Sequence, residues 1–351
     1  MMKILLLSHN FSPFIGGIEV ISEMLCAGFT KAGHEVRVLT WTESYANEDT
    51  QYKVIRRPNH QMLIRQHRWA DLIFENNPSL RLSWPRLFIK RPSVVALHTW
   101  ISRTDGTVAI QDRLKKRWLG LSTRVIAVSD AIRKACFPEA SVIGNPYRSE
   151  VFKKMPEIER DKDLVFLGRL VGDKGAVMAI WALYHLIGDW HQGGEQGPEP
   201  KLTIIGDGPE HAGLLAEVEK LNLLRNVRFM GTLKGTELAA CLNEHRYQLV
   251  PSLWKEPFGI AALEGIACGC IPLVSDGGGL PDAVGKAGKV FRRGDLMDLV
   301  AAVKDLKSNP LLQRHFLHEA KTHLNQFQPE QIMAQYVGVV ESVYHEKYLN
   351  S

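Results

Sequence analysis

A chain of 351 residues that is 45% apolar and 23% charged can bury two separate cores, and with no low-complexity tract it is neither disordered nor fibrous. Cysteines number only five, with Cys268 and Cys270 spaced C-x-C and no histidine pair beside them. This excludes a disulfide framework and a zinc knuckle, and reads as reduced core thiols of a cytoplasmic protein. The opening MMKILLLSHN has too short an apolar run for a signal peptide, and no other stretch reaches a membrane span, so a soluble chain is expected.

Short apolar runs alternate with longer amphipathic stretches, the signature of a parallel sheet covered by helices. In the first half, strands are expected at KILLLS (3–8), EVRVLT (35–40), YKVIRR (52–57), DLIF (71–74), SVVAL (93–97), RVIAVS (124–129) and SVIG (141–144). Between the first two, Val20, Ile21, Met24, Leu25 and Phe29 recur at helical spacing, and Gly33 supplies a stop. Gly144, Asn145 and Pro146 then break the pattern.

It restarts with DLVFLG (163–168), a helix near 174–190, KLTIIG (201–206), VRFMG (227–231), YQLVPS (247–252), CIPLVS (270–275) and GKVF (288–291). HQGGEQGPEP (191–200) reads as a loop insertion, and everything after Gly294 as helical. The expected architecture is α/β: two doubly wound, Rossmann-like parallel-sheet domains over 1–148 and 149–328, facing a cleft. A last helix, 329–351, would cross back to the first domain.

Charge is unevenly spread within the net +5. From Arg56 to Arg124 there are 14 Lys/Arg against 4 Asp/Glu, interleaved with Trp69, Trp84, Trp100 and Trp118. Such an excess suits an anionic partner, and the tryptophans favour a membrane interface over nucleic acid, for which no role is expected. A solvated face is the plainer alternative.

Ligands of doubly wound sheets bind beyond the carboxyl ends of the strands, so residues just after strands carry the chemistry. Gly16 and Gly17 follow the first strand and open a helix, where free amides favour phosphate; the pattern is not G-x-G-x-x-G, which disfavours a nicotinamide. Gly168-Arg169-Leu170-Val171-Gly172-Asp173-Lys174-Gly175 follows another strand and offers two fixed cations of the kind that hold a diphosphate. WKEPFGIAALEGIACG (254–269) places Glu256 in a loop and Glu264 inside the next helix. Amides of Gly259 and Ile260 stand free at its start for a phosphate, and Glu264 can take the vicinal hydroxyls of a ribose. A helix-start charge and a surface glutamate would be the plain reading, but Glu264 sits among Ala261, Ala262, Leu263, Ile266 and Ala267, in a helix built for burial. Asp276 to Asp282, with its triple glycine, reads as a row of open amides. His98, after SVVAL, is a lone histidine raised in interest by its position. Asp161-Lys162-Asp163, the D-x-D of the chain, reads as a solvent-facing run.

Together the N-terminal Gly-Gly, GRLxxxKG, the E-x7-E of EPFGIAALEGIACG and GGGLPD resemble the retaining glycosyltransferases of GT-B fold grouped as glycosyltransferase family 4. The resemblance implies transfer of a sugar from a nucleotide-sugar donor, UDP-linked by the family's commonest usage, to a glycan or lipid-linked acceptor. The basic segment suits a polysaccharide-building step on a membrane carrier, and the fixed cations Arg169 and Lys174 make a metal or other cofactor unnecessary. The resemblance also implies that Gly16, Gly17, Arg169 and Lys174 hold the diphosphate, with main-chain help from Gly259 and Ile260 beside Phe258. Glu264 would hold the ribose, Glu256 the sugar hydroxyls, Met230, Thr232 and Leu233 the base, and His98 would stand beside the sugar. Departures are Asp282 where the family has Glu, Asn145-Pro146-Tyr147 where it has Asn-Gly, and a short first domain. Rival readings are a nucleotide-sugar epimerase, a glycan phosphorylase, a non-catalytic nucleotide-sugar binding protein and, least supported, a dehydrogenase.

Overall fold

The computed structural model describes residues 1–13, 17–44, 51–101, 109–193 and 198–348. By contact the chain divides into two units: Met1–Asn145 with the segment from Glu330 onward, and Pro146–Pro329.

The first unit is built on a seven-stranded sheet, ordered β3-β2-β1-β4-β5-β6-β7. Its strands are β1 (Lys3–Ser8), β2 (Glu35–Thr40), β3 (Lys53–Arg56), β4 (Leu72–Asn76), β5 (Ser93–Leu97), β6 (Arg124–Ala127) and β7 (Ser141–Val142). All pair in parallel. Leu5, Leu6 and Leu7 of β1 are fully buried, which explains an unbroken apolar run: a parallel strand covered on both faces has no polar side to show. The helices are α1 (Gly17–Lys31), α2 (His60–Trp69), α3 (Leu80–Ser83), α4 (Ile110–Leu119) and α5 (Asp130–Cys136). In α1 the residues Ile21, Leu25 and Phe29, four apart, form the buried stripe. Two of the others start on side-chain caps: Asn59 accepts from the Met62 N–H ahead of α2, and Ser129 from the Ile132 N–H ahead of α5.

The second unit holds a six-stranded parallel sheet, ordered β10-β9-β8-β11-β12-β13. These strands are β8 (Lys162–Leu167), β9 (Leu202–Ile205), β10 (Val227–Phe229), β11 (His245–Val250), β12 (Ile271–Ser275) and β13 (Lys289–Phe291). Around them run α6 (Ala176–His191), α7 (His211–Lys220), α8 (Gly235–Asn243), α9 (Ile260–Cys268), α10 (Leu280–Val284), α11 (Leu296–Ser308) and α12 (Pro310–Asn325). One face of the sheet packs Leu164, Phe166, Leu202, Ile204, Leu249 and Leu273 against Ile180, Leu183, Leu299 and Val303 of the helices.

The last helix, α13 (Pro329–Tyr348), packs within the first unit. Tyr336 meets the Phe74 ring at 6.0 Å. Met333 packs onto Gly28, where an added Cβ would lie 2.1 Å from its terminal methyl, so a larger residue there would make the flexible Met333 side chain move aside.

Strand ends depart from the apolar runs where buried polar groups continue a strand. β4 runs on through Glu75 and Asn76, both buried. β8 takes in Lys162 and Asp163, so the reading of Asp161-Lys162-Asp163 as solvent-facing is corrected. Only Asp161 is exposed, while Asp163 is buried with Arg246 at 3.8 Å and Lys307 at 4.0 Å. The free cysteines Cys26, Cys136, Cys241, Cys268 and Cys270 are all buried. No helix among the described residues is long and apolar enough to cross a membrane.

Candidate active site

In the second unit, two loops that follow neighbouring strands are fastened to each other by backbone. After β8 the chain turns through Gly168 and Arg169, and the buried Leu170 anchors the turn through its N–H to Asp207 O (2.9 Å). Arg169 beside it is left exposed. Asp173 O then accepts from the N–H groups of Leu253 (2.8 Å) and Trp254 (3.1 Å) and from Ser252 Oγ (3.1 Å), all on the loop after β11. Gly175 has φ of 75°, and a Cβ on it would lie 2.0 Å from Pro251 O. No other residue permits this approach, which explains a glycine directly after the lysine.

The clamp delivers Lys174 Nζ to within 2.5 Å of Glu256 Oε1 and 5.4 Å above the Trp254 ring. Ser252 Oγ donates to the same carboxylate oxygen at 3.0 Å. On its other side Glu256 pairs with Gly278 in a parallel bridge, and the Gly279 N–H donates to Glu256 O at 2.7 Å. A Cβ at Gly278, where φ is 72°, would come 2.2 Å from that oxygen. The triple glycine seats the Glu256 loop and spends its Gly279 amide on it, so at least that amide of the expected row is not open.

From there the chain enters α9 at Ile260, capped by Gly259. The N–H groups of Gly259 and Ile260 belong to the first turn and have no intrahelical acceptor. A Cβ on Gly259 would meet Leu280 at 2.8 Å, so this glycine lets α9 close on α10. Phe258 is buried against the Phe327 ring (5.5 Å), so its side chain packs the helix start. Glu264 is one turn further on. Its side chain is only 12% exposed, and Leu263, Gly265, Ile266 and Ala267 around it are buried. Burial pushes the carboxyl up to about 7, opposed by Arg148, whose guanidinium stands 3.7 Å away.

Met230, Gly231 and Thr232 follow β10, held by the Met230 N–H to Ile204 O (2.9 Å) and by Gly231 O accepting from Gly206 (2.8 Å). Thr232 is exposed, while Met230 and Leu233 are half-buried. In the first unit Gly17 starts α1 with open space where a Cβ would be; Gly16 lies outside the described residues. His98 follows β5. Its N–H donates to Asn77 Oδ1 (2.8 Å), and its Nδ1 meets Asn145 Oδ1 at 3.2 Å. A carbonyl oxygen there favours the proton on Nδ1, which leaves Nε2 a buried acceptor with no partner among the described residues. Burial holds the ring down to about 4, so it is neutral at physiological pH.

Sequence reasoning found Lys174 and Glu256 and not that they pair. It gave no role in the site to Arg148, Asn145 or Trp254, although Asn145 and Trp254 lie in segments it singled out. Cys241, Glu244 and His245 also cluster, with one ligand atom each within 4.8 Å. Both His245 nitrogens are committed, to Cys241 O (2.7 Å) and Thr203 Oγ1 (2.8 Å), and Glu244 is held by Lys162. That set is structural.

Residues 148–323 match the family model of the glycosyl transferases group 1, half of the chain, and residues 15–137 match that of Glycosyltransferase Family 4. The chain belongs to the glycosyl transferases group 1. Glycogen synthase of Mycobacterium tuberculosis is 35% identical over 164 residues, which are 46% of this glycosyltransferase and 38% of that relative. Among solved structures, the Anabaena protein HepE in complex with UDP aligns with a TM-score of 0.81 at 18% identity, over 97% of this chain and 100% of that one. Sucrose-phosphate synthase from Thermosynechococcus elongatus aligns with a TM-score of 0.78 at 18% identity, over 99% of this chain and 100% of that one. At such identities the likeness shows the fold: two Rossmann-like parallel-sheet units of the GT-B class.

Proposed function

We propose that this glycosyltransferase moves a sugar, with retention, from a UDP-sugar to a glycan or lipid-linked acceptor in polysaccharide assembly. The observation that carries the reading is the clamp that brings Lys174, Glu256 and the open N-terminus of α9 to one place beyond the strands. Arg169, Lys174 and the Gly259 and Ile260 amides face the diphosphate, Gly16 and Gly17 add amides, and Glu264 takes the ribose hydroxyls. Glu256 and the bare Nε2 of His98 accept from sugar hydroxyls, and Met230, Thr232 and Leu233 border the base. UDP is favoured because a solved neighbour is a UDP complex.

No carboxylate of these motifs stands out as a nucleophile, so transfer is front-side. The bond from the anomeric carbon to the β-phosphate oxygen breaks, the bond to the acceptor oxygen forms, and the acceptor proton goes to the leaving phosphate. The two cations and the helix amides stabilise the charge that develops there, which makes a divalent metal unnecessary; full turnover in EDTA is expected. On the acceptor side, the first unit docks on an anionic bilayer. Phe88 (78% exposed), Ile110 (76%), Leu114 (48%) and Leu121 (65%) lie among exposed Lys90, Arg113, Lys116 and Arg117.

Calorimetric titration of UDP, GDP and ADP into wild type and Glu264→Ala tests the donor site. Tight UDP binding, weakened about tenfold or more by the substitution, is expected. Failure of every nucleotide to bind, or equal binding by the variant, would remove the reading.

A further inference from the structure

Arg148 follows the Asn145-Pro146-Tyr147 break and carries no role in any of the motifs, yet it is the cation that faces Glu264. Its own position is fixed. The Val151 and Phe152 N–H groups bond back to Arg148 O at 3.1 and 2.9 Å, closing a turn whose flanking residues Tyr147 (5% exposed) and Phe152 (1%) are both buried. Gln328 Nε2 donates to the Tyr147 hydroxyl at 2.7 Å, and the Arg148 guanidinium lies 5.0 Å over the Phe152 ring. A half-exposed side chain is thus presented from an anchored turn toward a carboxylate that α9 surrounds with apolar groups. A carboxylate so placed ionises only if a cation accompanies it, since taking a lone charge from water costs several kcal/mol.

We propose that Arg148 is a positioning residue for the donor site: it keeps Glu264 ionised and aimed, so that both carboxylate oxygens can accept from the donor's ribose. The proposal rests on the ribose role given to Glu264 above. An ionised carboxylate accepts only, whereas the protonated group turns one oxygen into a donor and loses half of its match to two hydroxyls. Facing Glu264 are Arg148, from the turn after Pro146, and the Cys268 thiol one helical turn on. That thiol is itself pushed up to about 12, by burial first, then by Cys270 and by the Glu264 charge, so it stays neutral. Glu264 near 7 is therefore poised where loss of Arg148 tips it to the acid.

The experiment follows the Glu264 carboxyl carbon by 13C NMR through a pH titration of the free protein, in wild type, Arg148→Gln and Arg148→Lys. UDP affinity is measured from pH 6 to 9 on the same proteins and on Glu264→Gln. Arg148→Gln should raise the carboxyl pKa by about one unit. The ionised fraction at pH 7 then falls from about half to about a tenth, and UDP affinity there drops roughly fivefold while converging with wild type at pH 9. Arg148→Lys should restore most of both, and Glu264→Gln should bind weakly with no difference left for a second Arg148→Gln change. An unmoved carboxyl pKa, or tighter UDP binding by Arg148→Gln, overturns the proposal and makes Arg148 a bystander or a competitor for the site. Full UDP affinity in Glu264→Gln would instead overturn the ribose reading itself, and the NMR titration would still decide whether Arg148 sets the charge.

Discussion

Glu75 in β4 and Glu256 after β11 are both carboxylates held against a cation, but their surroundings differ in kind. Glu75 is fully buried, pairs with Arg86, accepts from the Trp118 indole at 2.9 Å and from the Ser79 N–H at 3.3 Å. Arg86 in turn donates to Ser93 Oγ (2.5 Å), Ser122 Oγ (3.1 Å) and Leu121 O (3.4 Å). Acceptors and donors in that cluster are spent on one another. In the second unit, Lys174 and Glu256 are 20% and 15% exposed, and Glu264 faces a single half-exposed arginine. Unspent hydrogen-bonding capacity, rather than burial or charge, separates a binding group from a structural one: a saturated network rigidifies, and an unsaturated one has something to offer a ligand.

The contrast yields its largest effect on stability. Arg86→Met strands a fully buried carboxylate and should cost about 3–5 kcal/mol in urea unfolding. Glu256→Gln, which keeps the shape and one acceptor oxygen, should cost only about 1 kcal/mol, while sugar transfer drops by about two to three orders of magnitude. A stable Arg86→Met protein, or a Glu256→Gln protein that unfolds early, would break the distinction.

The same distinction explains what the sequence could tell. Apolar runs marked every strand because burial on both faces of a parallel sheet leaves a local trace. The ends slipped at Glu75, Asn76, Lys162 and His245, since a charged or polar residue reads as the edge of a strand when its partners are far along the chain. For Glu75 these are Arg86 and Trp118, and for His245 Thr203 Oγ1. In the site, glycine-rich loops were legible because each close approach demands glycine at a fixed offset, as Gly175 on Pro251 and Gly278 on Glu256 show. Which amides those loops spend on one another was not legible, as the Gly279 N–H bonded to Glu256 O shows. Arg148 left no trace, because nothing in its neighbours along the chain points to Glu264.

A middle-sized effect, set by proton binding, sharpens the comparison. His67, His98 and His245 are each lowered from 6.5 to about 4 by burial, whereas Glu264 is raised from 4.5 to about 7. Below pH 6.5 the unfolded chain takes up protons that the folded histidines refuse, so their contribution is present above 6.5 and lost as pH falls through about 4. Glu264 acts oppositely: its contribution is present below 4.5 and lost as pH rises through about 7. Thermal midpoints should therefore fall on acidification from pH 6.5 to 4, and fall more steeply once Glu264→Gln removes the opposing carboxyl. In 1H–13C spectra the His98 ring should stay neutral down to about pH 4; titration near 6.5 would mean that the ring is not buried, and its bare Nε2 would cease to be a candidate for a sugar hydroxyl.

The smallest expected effect concerns the surface of the first unit, where polar groups are neither saturated nor aimed. Along α4 and just beyond it, Ile110, Arg113, Leu114, Arg117 and Leu121 recur at helical spacing, and all are exposed. A face that alternates apolar and cationic groups has no reason to point into a core, yet it suits the boundary between acyl chains and anionic headgroups. Each cation near such a surface contributes about 1 kcal/mol, so Arg113→Gln and Arg117→Gln should each lower partitioning onto phosphatidylglycerol-rich vesicles about fivefold. Ile110→Ser should act in the same direction with the net charge unchanged. Transfer to a water-soluble acceptor should be unchanged in all three, because none belongs to the donor site. Equal sedimentation with neutral and anionic vesicles would instead return this face to ordinary solvation, and the asymmetry of the basic segment would need no partner.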